Sequence, residues 1–285
     1  MDTLEKDYFK LADILNNHMT FDVIDTTKYD FLAPTTLIPI IHYAKKYNRK
    51  ILASDKTHDY IEMILKQENT SLTTFINADY RKFMKIPTTA KIRIKEDSYE
   101  KFVENLDHNY GGWWFQSYIV SELTNNIYEH AFNNHPIDLG INYAQIYPDL
   151  NEMDICIFDN GVSIPGNYTE HGVDYLDDCH AIELALSRNS TGHNNGSNDL
   201  LNERGNGIRT IINKLITENK GQALIASRNG YLYIKDKNEY KYGHLKAING
   251  TLITLRLKQN SVSQFMDLAE FEFSNPYLYK GELER

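Results

Sequence analysis

Residues 105–260 carry the order of predicted elements that most restricts the fold. A long helix is predicted over residues 113–133, and two apolar strands follow at 141–147 and 153–158. Two shorter helices, separated by a polar loop rich in glycine and asparagine, are predicted next, over 178–188 and 208–217. Three further strands are predicted over 223–227, 231–236 and 251–257. Asn229-Gly230 is a hairpin signal between the first two of them. Helices followed by hairpin-connected strands predict an α+β sandwich with a mixed, mostly antiparallel sheet covered by helices.

The first hundred residues predict a separate, small α/β unit. Apolar spacing predicts helices over 3–16, 35–47 and 57–66, with Thr35 as the cap of the second helix. Short strands are predicted at 21–25 and 50–54. The charged stretch 94–104 is the best candidate for a boundary. We therefore expect a regulatory domain over 1–104, a second domain over 105–260 and a C-terminal extension over 261–285.

Charge and composition exclude several classes of protein. The 285 residues include 30 Lys and Arg against 39 Asp and Glu, which gives a net charge of -9 and argues against a nucleic-acid partner. Two cysteines cannot build a disulfide framework or a cysteine-rich zinc site. The N-terminal segment is charged, and no apolar run reaches the length of a membrane span, so we expect a cytoplasmic protein without a membrane partner.

A polar stripe runs along the predicted helix of residues 113–133. Glu122, Asn126 and His130 recur every four residues, which places a carboxylate, an amide and an imidazole on one helix face. A solvated surface stripe has the same spacing. The stripe alone therefore leaves a structural role and a functional role equally open.

Three other motifs follow in order along the chain. Asp159-Asn160-Gly161 comes directly after an apolar strand, where an ordinary turn is the simpler interpretation. Gly205 and Gly207 open a helix, a place suited to phosphate because helix N-termini present backbone N–H groups. Thr251 follows Gly250 at the start of a strand.

One alternative, a hydrolase, is suggested by residues 161–165. They nearly match the Gly-x-Ser-x-Gly turn of hydrolases, but proline replaces the last glycine. The sequence also predicts no helix after this turn, so we discount a nucleophilic Ser163.

Taken together, the four motifs resemble the GHKL superfamily of ATP-binding domains, which includes gyrases, heat-shock chaperones, histidine kinases and MutL-type repair proteins. The stripe SELTNNIYEHAF is most similar to that of histidine kinases and anti-sigma-factor serine kinases. The resemblance covers residues 105–260 and implies a Bergerat-type two-layer α/β sandwich that binds ATP and Mg²⁺. The order of elements in residues 1–104 loosely resembles STAS-like regulatory domains, which are usual partners of the serine kinases.

The resemblance implies a role for each matching residue. Glu122 would orient or deprotonate the attacking water as the catalytic residue. Asn126 would be the Mg²⁺ ligand, and Asp159 would accept a hydrogen bond from the adenine amino group. Further contacts to the nucleotide are implied for His130, Gly161, Ser163, Gly205, Gly207 and Thr251, and are plausible for Ser190, Thr191, Arg204 and Arg209.

Ser163 departs from the family pattern, because a second glycine usually stands at its position. Three functions remain open: an ATPase switch, a kinase that transfers the γ-phosphate, and a nucleotide-gated binding module with negligible catalysis. Each would place ATP under a mobile lid over residues 166–204 and regulate a protein partner. No His-containing helical hairpin of the histidine-kinase type is predicted in residues 1–104, whereas a serine kinase needs none.

Overall fold

The computed structural model describes residues 2–66, 74–78, 81–86, 96–128, 140–187, 207–264 and 276–281. Eight α-helices are defined in these ranges: α1 Leu4–Asn17, α2 Pro34–Lys46, α3 Asp55–Lys66, α4 Glu96–Glu104, α5 Trp113–Asn126, α6 Ser163–Glu170, α7 Asp178–Ala185 and α8 Gly207–Lys214. Ten strands accompany them: β1 Val23–Asp25, β2 Lys50–Leu52, β3 Thr74–Ala78, β4 Arg81–Ile86, β5 Gly140–Tyr147, β6 Glu152–Asp159, β7 Gln222–Ser227, β8 Gly230–Ile234, β9 Tyr240–His244 and β10 Thr251–Lys258. None of the described helices is long and apolar enough to cross a membrane.

Eight strands form one antiparallel sheet in the order β3-β4-β5-β6-β10-β7-β8-β9. β10, the last strand in the described residues, lies at the centre of the sheet, between β6 and β7. The two remaining strands, β1 and β2, pair in parallel in a small separate sheet. This architecture confirms the predicted α+β class.

Side chains of the large sheet alternate between two apolar layers, as the pleat requires. Met153, Ile155 and Ile157 of β6 belong to one buried cluster, whereas Cys156 and Phe158 belong to the other. The first cluster includes residues of α5, α7 and α8, and the second includes residues of α1, α2 and α3. Within residues 105–260, helices therefore cover one face of the sheet, and the N-terminal helices cover the opposite face.

The N-terminal helices begin and end close to their predicted bounds. Thr3 caps α1 by accepting a hydrogen bond from the backbone of Lys6, as expected for a threonine in this place. The prediction of Thr35 as a cap is wrong. Pro34 occupies the first turn of α2, and the Thr35 hydroxyl instead donates a hydrogen bond to Thr254 of the central strand at 3.0 Å.

Sequence patterns missed three strands and two helices, α4 and α6. The short strands β3, β4 and β9 were not predicted. Residues 96–104 of the charged stretch predicted as the domain boundary form α4, whose Phe102 and Val103 are fully buried in the same cluster as residues of α5. The division into domains at residue 104 stays a prediction.

Candidate functional site

Polar side chains form a row across three adjacent central strands, at one end of the sheet. Asp159 at the end of β6 is the register partner of Thr251 at the start of β10, and Thr251 is in turn the partner of Ser227 at the end of β7. By the alternation of side chains along each strand, all three lie on the face that α5 and α8 cover. We call Asp159, Thr251 and Ser227 the polar row. It brings together two of the predicted nucleotide contacts, Asp159 and Thr251.

The carboxyl group of Asp159 is the most perturbed polar group of the row. The residue is only 6 % exposed, and burial raises its pKa to about 7, although backbone N–H groups of Gly161 and Thr251 oppose that rise. The Gly161 N–H donates to Asp159 Oδ1 at 2.8 Å. A buried carboxyl group with so few donors is suited to accept a hydrogen bond from a ligand.

Gly250 lets two chain segments approach closely beside Asp159. A Cβ atom at Gly250 would lie 2.7 Å from the Asn160 Cα and 2.8 Å from the Asp159 carbonyl carbon, inside van der Waals contact. The Asn249-Gly250-Thr251 motif therefore has a steric reason at this place. The sequence indicated the motif but did not identify Gly250 as the residue that makes the approach possible.

Ser163 lies in a backbone conformation that favours glycine. Its φ is +75°, in the left-handed region, which costs a residue with a Cβ about 1–2 kcal/mol. The Ser163 Oγ accepts a hydrogen bond from the Gly166 N–H at 3.2 Å. The position at which the resemblance calls for glycine is thus one where the backbone itself favours glycine.

The turn at Ser163 also leads into a helix, α6, so the expectation that no helix follows is wrong. A strand, a turn and a helix are the context of a nucleophilic serine. However, Ser163 is 4 % exposed, and its Oγ accepts a hydrogen bond from the helix it begins. It is therefore placed as a structural residue rather than as an exposed nucleophile.

Ser227 joins the polar row to this turn. Its Oγ accepts a hydrogen bond from the Ile164 N–H at 3.0 Å and donates one to the Gly250 carbonyl at 3.2 Å. The hydroxyl of Thr251 is 3.3 Å away. Sequence reasoning missed Ser227, because a serine at the end of a strand has no signal of its own.

Helix α5 presents Glu122 and Asn126, one turn apart and both half-buried, next to α8. The Glu122 carboxylate lies against Gly207, the first residue of α8, with its Cδ 3.2 Å from the position of a Gly207 Cβ. A carboxylate at this place is favoured by the positive end of the helix dipole. The structure thus brings together two further predicted residues, Glu122 and Gly207.

A buried hydrogen bond joins α5 to β5, next to the polar row. The Asn142 side-chain amide donates to the Thr124 hydroxyl at 2.9 Å. Asn142 follows Gly140, the register partner of Asp159, by two residues, so it lies on the same face. Its amide oxygen is buried and has no hydrogen-bond partner among the described residues, which leaves an acceptor suited to water or a ligand. A polar Asn within an otherwise apolar strand is the signal by which the sequence could have indicated this residue.

Five predicted site residues lie outside the described residues: His130, Ser190, Thr191, Arg204 and Gly205. Arg209 is described and is 8 % exposed within α8.

Comparison of the chain with protein-family models, with curated proteins and with solved structures gives no match. A function for this site therefore depends on the residues, the register and the chemistry described above.

Proposed function

We propose that the chain binds ATP together with Mg²⁺ at the polar row and uses the nucleotide to regulate a protein partner. The observation that carries the proposal is the buried carboxyl group of Asp159. It lies at the end of a central strand, and burial raises its pKa to about 7. Gly250 approaches the backbone of the same residue closely. Exclusion of water strengthens a hydrogen bond that this group accepts, so it suits a specificity contact to an adenine amino group.

The order of the motifs in space adds support. Thr251, expected near the adenine, is the direct register partner of Asp159. Ser163, at the expected second glycine, has the positive φ of a glycine position. Glu122 and Gly207, expected near the phosphates, are in contact. Each feature comes from a different segment of the chain, so local sequence alone does not produce their agreement.

The residues of α5 fit the chemistry of Mg²⁺. The Asn126 amide and the Glu122 carboxylate offer hard oxygen donors one helical turn apart, which is the donor type that Mg²⁺ prefers. Asn126 would hold the ion, which when bound would offset the negative charge of the phosphates. Glu122 would hold or accept a proton of the attacking water or of a partner hydroxyl.

The binding proposal is tested by ATP titration of the wild type, of Asp159→Asn and of Asp149→Asn. Asp149 is an exposed aspartate in the β5–β6 connection and serves as the matched control. Replacing this buried hydrogen-bond acceptor costs about 1–3 kcal/mol, so Asp159→Asn should weaken ATP binding about ten- to hundredfold while Asp149→Asn changes nothing. Equal ATP affinity in all three proteins would remove Asp159 from the site.

The fate of the γ-phosphate separates the classes of activity. With γ-labelled ATP and Mg²⁺, an ATPase releases labelled phosphate and loses that activity in Glu122→Ala. A kinase transfers the label to a protein side chain, which identifies its class.

A binding module without turnover is the second candidate, and the position of Glu122 favours it. Its carboxylate is already placed at the N-terminus of α8, where a phosphate group would otherwise meet backbone N–H groups. In that position the Glu122 carboxylate stabilises the N-terminus of α8 and does not activate a water molecule. Bound, intact ATP after long incubation would support this candidate.

A further inference from the structure

A second cluster of chemically active side chains lies near the far edge of the sheet. It consists of Asp177 just before α7, Cys179 in the first turn of α7 and His244 at the end of β9. One ligand atom from each of them falls within 4.8 Å of the others. The cysteine and the histidine are 65 residues apart in the chain, so no local spacing in the sequence reveals the group.

This cluster is separate from the polar row. His244 pairs with Gly230 of β8, and Gly230 pairs with Ser227 of the polar row. Asp159 lies two strands beyond Ser227, so four strand spacings of about 4.8 Å separate it from His244, or about 19 Å. A ligand at the cluster would not occupy the proposed nucleotide site.

The distances approach those of a tetrahedral metal site. The Cys179 Sγ is 3.8 Å from His244 Nε2, and the Asp177 Oδ2 is 3.6 Å from the same nitrogen. Zinc bonds of about 2.3 Å to sulfur and about 2.0–2.1 Å to nitrogen and oxygen give tetrahedral edges of about 3.5 Å and about 3.3 Å for these pairs. Small side-chain shifts would close the difference, and the half-exposed His244 ring has room to make them.

Each oxygen of Asp177 has a distinct role. Oδ1 caps α7 by accepting hydrogen bonds from the backbone of Cys179 and His180, both at 2.9 Å. Oδ2 faces the cluster and accepts a hydrogen bond from the Tyr279 hydroxyl at 2.5 Å. The same hydroxyl is 3.3 Å from His244 Nε2. The helix cap thus fixes the carboxylate so that its second oxygen points at the imidazole.

The geometry does not fit a cysteine nucleophile activated by a histidine. The Cys179 Sγ is nearly equidistant from the two ring nitrogens, at 3.8 and 3.9 Å, and donates instead to the Gly243 carbonyl at 3.3 Å. The thiol is also fully buried, and burial raises its pKa to about 12. A buried neutral thiol is inert as a nucleophile, whereas a cation beside it would favour its thiolate form.

We propose that Asp177, Cys179 and His244 bind a thiophilic divalent cation of the Zn²⁺ class. The Cys179 thiol loses its proton to solvent, its sulfur binds the cation as a thiolate, and neutral His244 contributes a nitrogen lone pair. One carboxylate and one thiolate balance the two positive charges, so the loaded site is neutral, which suits the buried sulfur of Cys179. The Tyr279 hydroxyl contacts both Asp177 and His244 and so joins the C-terminal residues 276–281 to the site.

Co²⁺ is the probe, because a thiolate ligand gives it a near-ultraviolet charge-transfer band and a tetrahedral site gives it intense visible bands. The full chain, first treated with a chelator, should bind one Co²⁺ with both signals and release one proton. Zn²⁺ should then displace the Co²⁺. Cys179→Ser should abolish the charge-transfer band, and His244→Ala should weaken Co²⁺ binding at least about tenfold.

Two variants serve as matched controls. Cys156 is the other buried cysteine, but it lies on the opposite face of the sheet, so Cys156→Ser should keep the full spectrum. Tyr279→Phe keeps all three ligands and should also keep the thiolate band. If Cys179→Ser proves unstable, Co²⁺ binding to His244→Ala tests the site instead, because the half-exposed His244 ring can be removed without disturbing the core.

The proposal is overturned by any of three results. Co²⁺ binding to the wild type without a thiolate band would indicate adventitious binding at surface carboxylates and imidazoles. A band that survives in Cys179→Ser, or that disappears in Cys156→Ser, would place the metal at another cysteine.

Discussion

At the scale of single residues, Asp159 couples the proposed site to stability through its ionisation. Its pKa is about 7 in the folded chain, because burial disfavours the carboxylate, and 3.8 is its ordinary value. Between these values the folded state binds more protons than the unfolded state. Stability from this group is therefore fully present below pH 4 and is lost as the pH rises through 7.

Asp159→Asn should remove this pH dependence. Three pKa units at about 1.4 kcal/mol each set the scale, so the free energy of unfolding of the wild type should fall relative to the variant by about 2–4 kcal/mol between pH 4 and pH 8. Denaturant titrations at both pH values measure the difference. Asp7, whose pKa is also raised, to about 6, is common to both proteins and cancels. A constant difference across the pH range would mean that Asp159 ionises normally.

Ser163 offers a second residue-scale test, of backbone strain. Both Ser163→Ala and Ser163→Gly lose the hydrogen bond from Gly166, but only glycine relieves the positive φ. The glycine variant should therefore be more stable than the alanine variant by about 1 kcal/mol. Thermal unfolding of the pair measures this, and an alanine variant that equals or exceeds the glycine variant would contradict the strained conformation.

At the scale of elements, the approach of β10 to the end of β6 depends on Gly250. Its φ lies outside the left-handed region, so the requirement is steric: a Cβ there meets the backbone of Asp159 and Asn160. Gly250→Ala should push the two strands apart, cost about 1–3 kcal/mol of stability, and weaken nucleotide binding. The exposed neighbouring variant Asn249→Ala should leave both measurements unchanged. Unaltered stability in Gly250→Ala would show that the strand end relaxes at little cost.

The elements that the sequence predicted well share strong local signals. The strands β5, β6, β7, β8 and β10 are apolar or alternate apolar with polar residues, and α1 combines regular apolar spacing with the cap Thr3. The missed strand β9 is half-exposed and carries Lys241 and Gly243, which lower its strand signal. Helix α4 was not predicted because its segment is short and charged. Its buried residues Phe102 and Val103 are adjacent, so they give no helical spacing of apolar residues.

The candidate site was predictable only where a motif is local. Asp159 and Thr251 stand beside glycines at strand ends, and those signals are visible in the sequence. Ser227 entered the site through strand register, since β7 and β10 are neighbours although 23 or more residues separate their facing ends. The Asp177, Cys179 and His244 cluster likewise depends on the pairing of β8 with β9. Long-range register of this kind has no signature in local residue patterns.

At the scale of the whole molecule, a buried ion pair and a shared core join the N-terminal helices to the sheet. Arg256 of β10 donates to both carboxylate oxygens of Asp154, at 2.7 and 2.9 Å, and to the backbone carbonyl of Asp2 at 2.8 Å. It also lies 3.7 Å from Asp7 of α1. Since breaking a buried pair leaves an uncompensated charge, Arg256→Met should destabilise the chain by about 3–5 kcal/mol, as measured by denaturant unfolding. A decrease in the free energy of unfolding below about 1 kcal/mol would mean that the ion pairs of Arg256 do not stabilise the contact between the N-terminal helices and the sheet.

The boundary predicted after residue 104 implies that residues 105–285 fold on their own, whereas the shared core implies that they do not. Removal of residues 1–104 would uncover the whole apolar layer that packs under α1, α2 and α3, including Tyr143, Phe158, Leu224 and Leu252, all at most 1 % exposed in the full chain. An apolar sheet face of this extent is not stable in water and associates with other apolar surfaces. The fragment 105–285 should therefore aggregate or lack a cooperative thermal transition.

Co-expression of residues 1–104 provides the control for this truncation, because the missing helices can then cover the face in trans. We expect the two fragments to copurify and to regain a cooperative transition. If fragment 105–285 alone is monomeric and unfolds cooperatively, the sequence-based boundary is right and the N-terminal helices are a detachable regulatory layer. In that case, ATP binding by the fragment alone would show that the nucleotide site needs no residue of the N-terminal helices. This is expected because the side chains of Asp159, Thr251 and Ser227 lie on the face of the sheet that those helices do not cover.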